Sequence, residues 1–485
     1  MWTRLAFPAQ KALVFCTGVA ITLLVFFPGC MSGDAQFSWN ESVHNTDSRY
    51  RDWHPPLVAF VWHLLNALPL QPVPGYANLF VAMICLFWLG VVLAAEPWSG
   101  NRLRWLLFCI GVGMFPPVFA VLSQPLKDSL MCSAMIAAYG ALVTAERKRS
   151  WIGFFFGLGC LFLATGFRHN AILAVLPLAV WAGFILCEQL ASGLPRRLIS
   201  TTSKVLVGLT ISAMIGLAAF STNRALVSKP TYFVQALYTF DLLAISVKTG
   251  KIYLPTLFDD YKKPQWWPVK GGDIDGSPLT LQNLKRLYSP VTNLGIYWYG
   301  PGKGLRIVDD WQEVRELRAA WLKAIAKNFL TYVRVRSEMF AGLLGLAVTP
   351  FWPYYCMAKL SDPSGLFVYR PLPQFYMKVK DTIFFKGWFY VLLLLLFLIV
   401  LSRRGAAARS RVFLACSGML YCAGYFIIAP SGEFRYLYWP MLACTIIAVP
   451  LALTALDAAC KWAKLRLDRA KRDLAHVNSP RESGN

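Results

Sequence analysis

The residues best suited to chemistry lie in a short polar interlude, 31–56, which reads MSGDAQFSWNESVHNTDSRYRDWHPP. It holds Asp34, Glu41, Asp47 and Asp52 with His44 and His54, and apolar sequence of membrane grade flanks it on both sides. The whole chain has only 25 acidic residues and 5 histidines, so this loop concentrates proton-transferring groups in a sequence otherwise devoted to lipid. Three further turns carry ionisable pairs beside apolar runs: Lys127 and Asp128 in QPLKDS, Arg168 and His169 in GFRHN, and Glu433 with Arg435 and Tyr436 in SGEFRY. Charge at a membrane edge costs free energy unless it is paired or functional, so convergence of these turns on one face would make a single site. Asp34 is the candidate catalytic base, able to take a proton from an acceptor hydroxyl. Lys127, Arg168 and Arg435 are cations suited to a departing phosphate. Asp52, His54, Asp128, His169, Glu433 and Tyr436 complete the candidate substrate-binding set.

Each of these residues also has a plain structural reading. Lys127-Asp128 suits a helix start, with the acid at the positive end of the dipole. Arg168 suits a side chain reaching for headgroups. His54 before Pro55-Pro56 suits a turn, and Glu433 suits a partner for Arg435 alone. Asp34 is harder to dismiss, because an acid placed just past a span has no evident structural role. Asp273-Ile274-Asp275 has an Asp-x-Asp form, but its setting, GGDIDGSP, reads as turn chemistry. No P-loop or dinucleotide fingerprint occurs.

The elements that must position these groups are membrane helices. The 485 residues are 56% hydrophobic and 15% charged, and apolar runs long enough to cross a bilayer recur from end to end. These runs are continuous rather than alternating with period two, which demands helices and excludes a barrel. Spans are expected at 12–29, 77–95, 105–122, 128–145, 151–166, 170–187, 205–222, 387–402, 411–429 and 436–456. The net charge of +23 sits largely in alternate short loops and in the tail, which is a topology signal rather than a nucleic-acid footprint. It places both termini inside and the polar interlude outside the cytoplasm. The expected fold class is therefore an all-α polytopic membrane protein, a bundle of roughly ten or more spans with an extracytoplasmic region.

Four regions follow: an N-terminal transmembrane module, 1–222, with its first outer loop at 30–76; an extracytoplasmic or interfacial region, 223–386; C-terminal transmembrane helices, 387–460; and a basic cytoplasmic tail, 461–485. Leu57–Leu70 is short and proline-bounded, suited to an interfacial or re-entrant helix, and 343–358 is kept on the outer side. The first span is read as uncleaved. The 12 cysteines lie mostly in apolar runs without a CxxC pair, so they read as small packing residues, and neither a disulfide framework nor a zinc site is expected. Trp53, Trp266 and Trp267 offer faces for sugar rings, although interfacial belts explain most such residues.

Asp34 just after the first span, followed by Asp52-Trp53-His54-Pro55-Pro56-Leu57, resembles the first outer loop of the GT-C glycosyltransferases. The likeness is greatest to the lipid A aminoarabinose transferase and protein O-mannosyltransferase branch, and it covers the opening hundred or so residues. The resemblance implies a multi-helix transferase using a polyprenyl-phosphate sugar, with inverting hexosyl or pentosyl transfer and Asp34 in the catalytic-acid position. It implies a bacterial inner-membrane protein whose site faces the periplasm, acting on a cell-envelope glycan, lipid or protein acceptor. The chain departs from the branch in having Ala35 where a second acid is common, and in an internal rather than C-terminal outer region. Metal use differs within the superfamily; Asp34 with Asp52 or His54 has the donor chemistry for a divalent cation, and spacing alone does not decide it.

Two other functions fit parts of this pattern. A lipid-linked polysaccharide polymerase or ligase shares the outer-face chemistry. A transporter or flippase would instead need ionisable residues buried in mid-span and two related halves, and neither is visible in the sequence.

Overall fold

The computed structural model describes residues 6–43, 50–68, 77–191, 200–258, 279–290, 293, 296, 305, 307–346 and 378–477. His44, Asp47, Trp266, Trp267, Asp273, Asp275 and 347–358 lie outside the described residues.

Every apolar run expected to span becomes helix, because a backbone in lipid satisfies its own hydrogen bonds only that way. The first helices are α1 (Phe7–Phe26), α2 (Gly33–Val43) and α3 (Pro56–Asn66), then α4 (Ala77–Ala94), α5 (Arg102–Gly113) and α6 (Pro116–Leu122). Next come α7 (Lys127–Lys148), α8 (Trp151–Phe167), α9 (Ile172–Leu190) and α10 (Thr201–Leu226). A layer follows of α11 (Gln235–Thr249), α12 (Leu281–Leu287), α13 (Trp311–Lys327) and α14 (Phe329–Leu343). The chain closes with α15 (Gly387–Ser402), α16 (Arg409–Ile428) and α17 (Tyr438–Val477). Among the described residues, seven helices are long and apolar enough to cross a membrane, and an eighth results if the bent pair α5–α6 counts as one span. The chain is an all-α polytopic membrane protein.

The expected span at 105–122 is not straight. Pro116 and Pro117 force Phe115 out of helical geometry, and the two halves meet at 56°. The last helix runs on past its expected end to Val477, since the Ala-, Leu-, Lys- and Arg-rich sequence beyond 456 favours helix as strongly as the span does.

Helix α7 is the hub, enclosed by α4, α8, α9 and α17. Its five alanines and two serines, with Cys132 and Gly140, let neighbours approach closely. A Cβ added at Gly90 of α4 would come within 2.5 Å of the Ala137 nitrogen, and one at Gly140 within 2.6 Å of the Ala94 nitrogen. This contact fixes where the two ends of α7 lie.

At one end of the bundle sit the start of α2, the starts of α7 and α9, the end of α16 and the start of α17. At the other sit the end of α7 and the starts of α5, α10 and α16, with their Arg and Lys clusters. The layer α11–α14 packs on the first of these ends through α14 against α16. A short parallel pair, β1 (Tyr50–Arg51) with β2 (Val227–Lys229), ties the first polar loop to the segment after α10.

One expectation is overturned. Cys30, between α1 and α2, is disulfide-bonded, while the ten other described cysteines are free. A lone cysteine next to a polar loop carries no spacing motif, so the sequence holds no sign of this bond.

Candidate active site

Asp34 is positioned by the first turn of α2. Ser32 caps that turn, its Oγ accepting from the Ala35 N–H at 3.2 Å. His54 arrives from the opposite direction, on the segment where Pro55-Pro56 start α3 with backbone already fixed for a first helical turn. Lys127 and Asp128 open α7, Arg168 is the extended residue ending α8, and Glu433 to Tyr436 form the turn between α16 and α17. Five separate turns thus meet at one end of the bundle.

Asp34 is the centre of this meeting. Arg435 Nη2 lies 3.0 Å from Asp34 Oδ2, Lys127 Nζ lies 3.5 Å from the same oxygen, and His54 Nε2 lies 3.9 Å from Oδ1. Lys127 Nζ also donates to His54 Nδ1 at 2.7 Å, which puts the imidazole proton on Nε2, facing the carboxylate. Glu433 accepts from Arg435 Nε at 2.5 Å and from Ser431 Oγ at 3.3 Å. Deeper in, Asp128 pairs with Arg168, and Arg435 Nη1 reaches it at 4.0 Å. Arg168 also donates from Nε to Asn170 Oδ1 at 2.9 Å.

The two aspartates differ in access. The Asp34 side chain is 33% exposed, whereas that of Asp128 is 1% exposed. Asp34 is thus the accessible carboxylate, while Asp128 lies behind it and pairs with the two arginines. Removing either partner of such a buried pair would strand the other charge.

Burial alone would raise the Asp34 carboxyl, but Arg435 and Lys127 hold it well below the usual carboxylate range. Burial, with Lys127 beside it, pushes His54 down to about 3, so its ring is neutral. With His54 neutral, Asp34, Asp128 and Glu433 are balanced by Lys127, Arg168 and Arg435.

Two further tyrosines belong to the site. Tyr425 stacks on Tyr436 with ring centroids 5.2 Å apart, and the Arg168 guanidinium lies 4.7 Å from the Tyr436 ring centre. Tyr421 and Tyr425 share a hydroxyl hydrogen bond of 2.9 Å. Neither stands out in the sequence because both sit in an apolar run, although their spacing of four along a helix is a visible sign of a common face.

Two expected site residues are placed elsewhere. The Asp52 carboxylate accepts from the Thr231 N–H, from Thr231 Oγ1 at 2.7 Å and from the Tyr232 N–H at 3.0 Å. His169 stacks on Phe233 at 4.6 Å and on Phe220 at 5.7 Å, outside the ionic cluster. Near Asp52, burial raises the Glu41 carboxyl to about 7.

The donor set does not suit a divalent cation. Among the described residues no group of three or more His, Cys, Asp or Glu side chains is arranged to hold one. Lys127 and Arg435 already fill the space beside Asp34 with positive charge, which would repel a metal there. What the cluster can do is bind an anion and accept a proton next to it. No protein-family model, curated protein or solved structure matches the chain.

Proposed function

We propose that the protein is a membrane glycosyltransferase, moving a sugar from a polyprenyl-phosphate donor to a cell-envelope glycan, lipid or protein on the extracytoplasmic face of a bacterial inner membrane. One observation carries the reading: a partly exposed carboxylate, Asp34, shares its charge with Arg435 and Lys127 at the end of a membrane bundle. Nucleotide sugars are absent outside the cytoplasm, so a donor there is carried on a lipid phosphate at the interface. Two supports bear on orientation. The Arg and Lys clusters gather at the opposite end, the pattern of a cytoplasmic face. A disulfide at Cys30 fits an oxidising compartment. On this reading about ten helices span, α8 and α15 among them, and both termini are cytoplasmic.

The reaction is a single displacement. The acceptor hydroxyl attacks the anomeric carbon as its proton passes to Asp34, and the bond from that carbon to the phosphate oxygen breaks with inversion. Lys127 and Arg435 take the charge that develops on the leaving phosphate, with Arg168 behind them. A carboxylate held so low is a weak base. An arriving phosphate draws Arg435 and Lys127 toward itself, loosens their hold on Asp34, and so raises its proton affinity as the hydroxyl approaches.

The test is reconstitution in nanodiscs with a polyprenyl-phosphate sugar labelled in the sugar, supplied with cell-envelope extract as acceptor. The reading expects release of polyprenyl phosphate matched by label in an acceptor. No consumption of any such donor would refute it. Thiol labelling of single cysteines introduced near Asp34, Ser129 and Gly432 should find all three reachable from outside, and cytoplasmic access for any of them would break the orientation.

A further inference from the structure

The layer α11–α14 contains the most deeply buried ion pair among the described residues, and it takes no part in the chemistry above. Asp241 of α11 and Arg336 of α14 are both 0% exposed, with Arg336 Nη2 2.6 Å from Asp241 Oδ1. Trp321 Nε1 of α13 donates to Asp241 Oδ2 at 2.8 Å, so one carboxylate joins three helices. Arg336 Nη1 then donates to the Ala429 carbonyl at 2.6 Å. Ala429 ends α16, two residues before Ser431, whose hydroxyl steadies Glu433 against Arg435.

The other end of α11 is anchored on the opposite side of the site. Asp52 lies two residues before His54 and holds the backbone of Thr231 and Tyr232, where Tyr232 takes a positive φ of 51°. Gln235, the first residue of α11, donates to the Thr231 carbonyl at 2.5 Å and exchanges hydrogen bonds of 2.7 Å with Val308. From Gln235 to Asp241 is six residues of helix, about 9 Å of rigid rise.

We infer that α11 is a brace that sets the separation between the loop bearing His54 and the turn bearing Arg435, with Asp52 and Arg336 as its positioning residues. A buried charge pair that also holds an indole N–H and a carbonyl is constrained on three sides, so it transmits position rather than merely adding cohesion. The outer layer thereby acquires a role, adding a rigid link between the two halves of the site to the membrane helices and the ionic contacts at Asp34. The brace also accounts for Asp52, whose carboxylate is turned to backbone rather than to the ionic cluster.

The inference rests on the transferase reading for its kinetic consequence but not for its structural one, and the experiment separates the two. Asp241→Leu with Arg336→Met replaces the pair by apolar groups of similar size, an exchange that folded proteins often tolerate. Asp52→Ala releases the other end, and Trp321→Phe loosens the pair mildly should the double variant fail to fold. Amide hydrogen exchange in nanodiscs should rise at least tenfold over 429–437 in the double variant and over 50–58 in Asp52→Ala, with the cores of α4 and α7 unchanged. The KM for the labelled donor should rise about tenfold with a smaller change in kcat. Unchanged exchange at both segments overturns the brace, and so does raised exchange with an unaltered donor KM in an active enzyme. If the wild-type protein transfers no sugar yet exchange responds as stated, the brace stands and the transferase reading falls.

Discussion

Two ionic networks cap the two ends of this bundle, and they are built differently. At the basic end Arg409 of α16 grips Glu146 of α7 and Glu188 of α9 with contacts of 2.6 to 3.0 Å. Lys204 of α10 joins Glu188 at 3.1 Å, and Trp181 Nε1 donates to Glu146 at 3.1 Å. Nearby, Glu96 is held between Lys11 at 2.5 Å and Lys148 at 2.7 Å. These side chains come largely from regular helix ends, and each carboxylate is closely gripped. At the other end the groups come from turns and loops, the contacts to Asp34 spread from 3.0 to 3.9 Å, and tyrosine faces line the arginines. The first network staples helices. The second keeps charge available, which is what the proposed exchange of partners with a phosphate requires.

The sharpest way to break this contrast is to neutralise one carboxylate at each end. Asp34→Asn should lower transfer by about a thousandfold, within the range for loss of a general base, while the protein stays folded. The same variant should bind polyprenyl phosphate more tightly than the wild type by equilibrium titration, since Arg435 and Lys127 lose their internal competitor. Weaker or equal binding would mean that Asp34 does not share those cations with the phosphate. Glu188→Gln should leave turnover within about twofold.

Next in size, Arg435→Ala and Arg168→Ala should each weaken donor binding by about tenfold or more, the scale of a charge-assisted hydrogen bond. Unchanged donor kinetics in either variant would remove that residue from the phosphate site. At the basic end, Arg409→Ala should act on stability alone, lowering it by about 1 kcal/mol given its partial exposure, read as a drop in melting temperature with kcat retained.

A separate effect concerns pH. Folded His54 takes up a proton only near 3, whereas the unfolded ring does so near its ordinary 6.5. The unfolded chain therefore binds more protons in between, and stability falls as the pH drops from 6.5 toward 3. His54→Gln should flatten that slope in a thermal-shift series. An unaltered slope would mean that His54 is not buried as a neutral ring.

Much of the fold was legible because bilayer physics leaves little choice: the ten apolar runs all became helices, one of them broken at Pro116-Pro117. The convergence of Asp34, His54, Lys127, Asp128, Arg168, Glu433 and Arg435 was legible from topology, since alternate loops must share a side. Asp52 and His169 share that side as well, but side-chain direction decided their partners, and loop sequence does not encode direction. Arg336 and Asp241 were illegible for another reason. They lie 95 positions apart in a polar region where neither stands out, and only the packing of α11 on α14 brings them together. The Cys30 disulfide was hidden because a single cysteine near a span looks like any of its packing neighbours.

The most direct measurement is a cryo-electron microscopy structure in nanodiscs with a polyprenyl phosphate bound. The account predicts phosphate density within hydrogen-bonding distance of Arg435 and Lys127, with Asp34 further from both than in the free protein and the prenyl chain leaving toward lipid. Phosphate density away from this cluster, or an Asp34 that keeps both cations while the phosphate sits elsewhere, would contradict it.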